Sequence, residues 1–208
     1  MKFKICGMKY HDNIKSVAEL QPDYLGFIFY EKSKRNFDGI IPELNNEIIK
    51  TGVFVDESIN FILKKIKEYQ LKAVQLHGIE SPEFCKELLK TQIEVIKVFS
   101  VDENFDFEIL NNYKEVCDYF LFDTKGKERG GNGIAFDWNL LENNKSKKPY
   151  FLSGGLGLNE VEDLSNFFKT EVSKYCYALD VNSKFEDKPG LKNIQKLKLF
   201  IQDLKLRV

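Results

Sequence analysis

The chain of 208 residues has no excess of basic charge: 31 Lys and Arg stand against 32 Asp and Glu, a formal net charge of -1. That balance offers no electrostatic footprint for nucleic acid, and none is expected as a partner. The N-terminus lacks an apolar run of signal-peptide length, and no stretch is long enough to span a bilayer, so a cytoplasmic protein with no membrane partner is expected. Histidine and cysteine are sparse and scattered. Cys6, Cys85, Cys117 and Cys176 form no C-x-x-C pair and no ligand-spaced cluster with His11 and His77, which argues against a metal site and against a disulfide framework. Low-complexity tracts are absent, and no G-x-G-x-x-G turn follows the first strand-like run, as an open dinucleotide-binding sheet would require.

What is present is an alternation. A hydrophobic fraction of 43% and a charged fraction of 30% suit one soluble globular domain over residues 1–208. Eight apolar runs of strand length occur, at Lys2-Cys6, Tyr24-Phe29, Thr51-Val55, Ala73-Leu76, Glu94-Phe99, Tyr119-Phe122, Pro149-Leu152 and Cys176-Val181. Helical spacing lies between them. Ile59, Ile62, Ile66 and Tyr69 form one apolar stripe, and Ile194, Leu197, Ile201 and Leu204 form another. Ser81-Pro82-Glu83 supplies a cap, a first-turn proline and a first-turn acid, and a further helix is expected near Asn159 with Val161, Leu164 and Phe168 facing inward. Weaker helical signals follow the second and sixth strands, at Glu43-Lys50 and Phe136-Asn144.

Eight strand-then-helix units predict an α/β fold with a parallel sheet closed into a single (β/α)8 TIM barrel; an open doubly wound sheet is the alternative. Glycine-rich loops come late in the chain, where barrels build a phosphate site. In a barrel the working face is the C-terminal end of the strands, which gathers Cys6, Arg35, His77, Asp123, Ser153-Gly154-Gly155 and Asp180-Val181-Asn182-Ser183 at one mouth. Taken alone, Cys6 reads as a small buried hydrophobe, Arg35 as one charge in the run Glu31-Lys32-Ser33-Lys34-Arg35, and Asp123 as a cap on the loop or helix that follows.

Lys4-Ile5-Cys6-Gly7, Gly52-Val53-Phe54-Val55, Val74-Gln75-Leu76-His77-Gly78, Leu121-Phe122-Asp123 with Gly130-Gly131-Asn132-Gly133 and Phe136-Asp137-Trp138, Ser153-Gly154-Gly155-Leu156, and Asp180-Val181-Asn182-Ser183 recur in order along the whole chain. Together they resemble the phosphoribosylanthranilate isomerase family, single barrels of tryptophan biosynthesis. Its members convert N-(5-phosphoribosyl)anthranilate into 1-(2-carboxyphenylamino)-1-deoxyribulose 5-phosphate by an Amadori rearrangement. The resemblance implies that Asp123 is the acid that protonates the furanose ring oxygen and Cys6 the base that removes the proton at C2. Asp near 3.9 must then be raised and Cys near 8.5 lowered. Lys4, two residues before Cys6 on the same strand face, either favours the thiolate or pairs with an interior carboxylate.

The phosphosugar substrate carries an anion at each end. The amides around Gly154, Gly155, Asn182 and Ser183 suit its phosphate, and the fork of Arg35 suits its carboxylate. Asp180 is expected to accept from a sugar hydroxyl, and His77 either orients substrate or fills the end of its strand. The chain departs from the family with Lys34 where proline is usual, Asn132 where threonine is common, and Lys184-Phe185 where Gly-Val is expected. At Lys184 the loop is therefore reshaped, or an added charge serves the phosphate. No cofactor is implied, since both steps are proton transfers. A monomer is expected. The other readings are a different phosphosugar barrel enzyme and a phosphosugar-binding barrel without chemistry.

Overall fold

A computed structural model describes residues 1–124 and 136–207. The motif Gly130-Gly131-Asn132-Gly133 lies outside the described residues. Strands β1 (Lys2–Ile5), β2 (Tyr24–Ile28), β3 (Ile49–Phe54), β4 (Ala73–Leu76), β5 (Glu94–Val101), β6 (Tyr119–Thr124), β7 (Tyr150–Leu152) and β8 (Cys176–Val181) pair in sequence order, every pair parallel. β1 also pairs with β8, with Lys2 opposite Ala178 and Lys4 opposite Asp180, so the barrel is closed. This is the expected (β/α)8 architecture.

Two apolar layers hold it. Inside the barrel, Tyr24, Ala73, Ile96, Val98, Leu121, Phe151 and Ala178 form a buried plug below the mouth. Outside it, the other faces of the strands pack on the surrounding segments, and Phe27, Phe54, Val74, Phe120 and Leu152 are fully buried there. Strands buried on both faces explain why the sequence shows continuous apolar runs rather than alternation.

The helices are α1 (His11–Ala18), α2 (Ile59–Tyr69), α3 (Pro82–Leu89), α4 (Val161–Phe167) and α5 (Ile194–Arg207). Ser58 and Ser81 cap α2 and α3 by accepting from the amides of Phe61 and Phe84, and Pro82 opens α3 as its sequence predicts. α4 buries Val161, Leu164 and Phe167, with Phe168 only partly covered. The helix expected over Glu43-Lys50 does not form, because Ile49 and Lys50 already belong to β3. Instead the long connection after β2 drives Phe37 under the barrel wall, where its ring meets Phe27, Phe29 and Tyr69 edge-on. After β5 and β6 only 3-10 turns appear among the described residues, at Phe107–Asn112 and Trp138–Asn143, each capped by the preceding aspartate. One element was not expected: after β8 the chain makes a hairpin of β9 (Glu186–Lys188) and β10 (Leu191–Lys192) around Pro189-Gly190.

Candidate active site

Cys6 sits one residue past β1, its amide donating to the carbonyl of Val181 on β8. Its side chain is buried, and it is buried because β2 carries glycine beside it. A Cβ built on Gly26 would stand 2.7 Å from Cys6 Sγ, closer than real contacts allow. Gly7, at φ +76°, turns the chain out of β1, and its missing side chain admits two other site residues. A Cβ there would come within 2.6 Å of Asn182 Oδ1 and 2.8 Å of Arg35 Cδ. The first strand end, the β2 loop and the β8 loop therefore meet at Cys6-Gly7.

Below Cys6 the ammonium of Lys4 stands 2.9 Å from Asp180 Oδ2, and both groups are buried. Lys4 thus takes the second of its two expected roles, pairing with an interior carboxylate. Burial works against its charge, yet Asp180 and Cys6 hold it above the ordinary lysine range. Burial pushes the Asp180 carboxyl up, against the pull of Lys4. Burial also pushes the Cys6 thiol up, and the nearby ammonium groups of Lys4 and Lys192 do not overcome it. The expected depression of that thiol is therefore not found: burial outweighs the pull of Lys4, which Asp180 and Cys6 share.

Asp123, near the end of β6, is also buried; its Oδ1 accepts from the Thr124 amide at 2.9 Å and its Oδ2 lies 3.4 Å from His77 Nε2. Among the described residues, the capping reading holds for its link to the following amide. His77, just past β4, meets the side-chain amide of Gln75 through Nδ1 at 3.1 Å. Asp180 feels both Asp123 and His77, so the two acids, the histidine, Lys4 and Cys6 form one electrostatically linked group.

Arg35 is not a solvated charge. Its Nε donates to Glu186 at 2.9 and 3.0 Å and its Nη2 at 2.7 Å, so one edge of the fork already holds a carboxylate of the chain itself. Glu186 is shared: Lys192 Nζ reaches its Oε1 at 2.7 Å and Asn182 Oδ1 at 2.7 Å. Burial lowers Lys192 to about 8 despite Glu186. Neither Glu186 nor Lys192 was picked out in the sequence. The signal available was the Pro189-Gly190 turn between them, which announces a hairpin without saying what its charges touch.

The β7 loop runs through Gly154 at φ +88° and Gly155 at φ +66°. Ser183–Phe185 is a 3-10 turn, and Lys184 adopts no positive φ there. The expected reshaping is thus a right-handed turn that needs no glycine, and it leaves Lys184 exposed while Phe185 is buried against Phe200. Glu80 and Lys97 are a further pair that the sequence reading missed, 2.8 Å apart and buried. A lone lysine within Val95-Ile96-Lys97-Val98-Phe99 was the available sign. Glu80 accepts from the amides of Asp56 and Gly78, while Lys97 donates to the Gly78 carbonyl, which secures the loop after His77.

Among the described residues, no group of three or more His, Cys, Asp or Glu is placed to hold a metal ion, and no helix is long and apolar enough to cross a membrane. The family model described as N-(5'-phosphoribosyl)anthranilate isomerase matches residues 3–203. The chain is 41% identical over 210 residues to the N-(5'-phosphoribosyl)anthranilate isomerase of Parabacteroides distasonis, covering 98% of this chain and 93% of that one. Among solved structures it is similar to a phosphoribosylanthranilate isomerase in complex with reduced 1-(o-carboxyphenylamino)-1-deoxyribulose 5-phosphate, with a TM-score of 0.81 at 33% identity over 99% and 98% of the two chains. It is similar also to monomers of the dimeric phosphoribosylanthranilate isomerase of Thermotoga maritima, with a TM-score of 0.78 at 31% identity and the same coverage. With its barrel, its strand-end residues and these matches along nearly its whole length, the chain belongs to the N-(5'-phosphoribosyl)anthranilate isomerase family.

Proposed function

We propose that the chain catalyses the Amadori rearrangement of N-(5-phosphoribosyl)anthranilate in tryptophan biosynthesis, with Asp123 as acid and Cys6 as base. The observation that carries this reading is the linked group at the barrel mouth, in which a buried thiol from β1 and a buried carboxyl from β6 share Asp180 as a neighbour. Asp123 gives its proton to the furanose ring oxygen as the C1–O bond breaks, and the nitrogen lone pair forms the imine. Cys6 then takes the proton from C2, and the electrons of that bond flow toward the iminium to leave an enolamine, which tautomerises to the ketose. Because burial keeps the thiol mostly protonated, Cys6 works from a small thiolate fraction that Lys4 sustains.

Asp180 Oδ1 is buried and has no hydrogen-bond partner among the described residues, which supports its role as acceptor for a sugar hydroxyl. The open edge of the Arg35 fork takes the anthranilate carboxylate, while Glu186 holds the other edge in place. Gly154, Gly155, Asn182 and Ser183 take the phosphate, and His77 acts on Asp123. We place the protein in the cytoplasm as a monomer acting on a small molecule alone. Light scattering on the purified protein checks the monomer.

The test is a fluorescence assay on freshly generated N-(5-phosphoribosyl)anthranilate. Consumption well above spontaneous hydrolysis is expected. Binding without turnover would leave a non-catalytic barrel, and turnover of a different phosphosugar would assign another enzyme of this architecture.

A further inference from the structure

We propose that Gln75 is a positioning residue for the acid step, acting through the ring of His77 to keep the transferable proton of Asp123 on the side of the carboxyl that faces substrate. The inference rests on the reading of Asp123 as the acid.

Gln75, His77 and Asp123 form a row. Gln75 and His77 are two residues apart at the end of β4, so both side chains point into the barrel. Gln75 is buried, its Nε2 is 3.1 Å from His77 Nδ1, and its Oε1 has no partner among the described residues. An amide nitrogen can only donate, so with Gln75 Nε2 facing it Nδ1 is the acceptor, and the ring's one proton is left on Nε2. That nitrogen faces Asp123 Oδ2 at 3.4 Å, the loose contact that catalytic pairs show before substrate tightens them. Asp123 Oδ1 is taken by the Thr124 amide.

The consequence concerns the location of one proton. With Nε2–H fixed, Oδ2 cannot direct its own hydrogen at the imidazole, so the carboxyl proton stays on a lone pair turned to the mouth. After that proton passes to the ring oxygen, Nε2–H is the donor that stabilises the carboxylate left behind. The opposite tautomer reverses both effects. A bare Nε2 would accept the carboxyl proton and hold it away from the sugar, and afterwards would set a lone pair against an anion.

The chain has two histidines, His11 and His77, so a long-range proton–nitrogen NMR spectrum of the imidazoles is readily assigned with a His11→Gln variant. In the wild-type protein, at an alkaline pH where the ring is neutral, His77 is expected as the Nε2–H tautomer; the Nδ1–H tautomer would overturn the proposal whether or not any variant folds. Gln75→Glu, which can only accept at Nδ1, is expected to give the Nδ1–H ring or imidazolium. Gln75→Met is expected to lower kcat roughly 10-fold with KM little changed. The same change in a His77→Asn background is expected to cost nothing more, whereas an equal loss with and without the imidazole would mean that Gln75 acts only on packing. Asp123→Asn separates the two ideas. Full turnover in that variant would remove the acid assignment while leaving the wild-type tautomer as found.

Discussion

Lys4 and Asp180 are partners twice over: their Cα atoms lie opposite each other across the seam that closes the barrel, and their charged ends stand 2.9 Å apart, both buried. Removing one charge leaves the other without its counterion in a dry interior. Lys4→Met is expected to lower stability by roughly 3–5 kcal/mol, and Lys4→Met with Asp180→Asn by clearly less. The pH dependence follows from the sign of the shift. Lys4 is held above its ordinary 10.5, so its contribution is fully present below that value and lost as pH rises through the folded-state value. Urea midpoints of wild type and Lys4→Met, compared from neutral to strongly alkaline pH, are expected to converge at the alkaline end.

Gly26 makes the space that Cys6 Sγ occupies. Gly26→Ala overpacks that contact, so a loss of about 1–3 kcal/mol is expected together with a fall in kcat as the thiol is pushed from its place. Chemical denaturation and steady-state kinetics on one preparation check both. Unchanged kcat with reduced stability would mean that the position of the thiol does not matter to turnover.

Burial raises the Cys6 thiol above the ordinary cysteine range, so the break it contributes to a bell-shaped kcat/KM profile is expected on the alkaline side. Cys6→Ser is expected to lose turnover by at least roughly 10²-fold and to lose that break from the residual activity. A variant that kept the break and nearly full turnover would return Cys6 to a packed hydrophobe.

Arg35 and Lys192 hold Glu186 below 4.5 even though burial pushes it upward. Its contribution is therefore present above 4.5 and lost as pH falls through the lower folded-state value. Glu186→Gln is expected to be less stable than wild type at neutral pH and to approach it in acid, as thermal melts across that range will show. Its KM is expected to rise as well, because Arg35 loses its anchor. Arg35→Met is expected to raise KM further with a smaller change in kcat.

If the β7 and β8 loops hold the phosphate, inorganic phosphate competes with substrate, and Gly155→Ala weakens that competition because φ of +66° strains an alanine. Inhibition constants for phosphate measured against both proteins decide the point. Equal constants would move the phosphate elsewhere on the barrel face.

Much of this architecture is written locally. Strand-length apolar runs such as Tyr24–Ile28 and Ala73–Leu76 are buried on both faces, so their identity as barrel strands does not depend on distant partners. The caps at Ser58 and Ser81 act within a few residues and are equally local. Local helical spacing misleads where the residues of a connection serve another element: Ile49 and Lys50, the end of the helix expected over Glu43-Lys50, enter β3.

The sequence by itself determined the eight strands and the residues at their C-terminal ends, because short-range periodicity suffices for these, whereas closure of the sheet, with an open sheet as the alternative, was decided by β1 pairing with β8. Only the tertiary structure decided how those residues are charged and aimed. Whether Lys4 serves Cys6 or Asp180 depends on β1 closing against β8, more than 170 residues away in the chain. That Arg35 is held by Glu186, and Glu186 by Lys192, depends on a hairpin folding back over the mouth. Charges act through space at a few ångströms and lose their meaning when read along the chain, so their pairing becomes visible only once the barrel has closed.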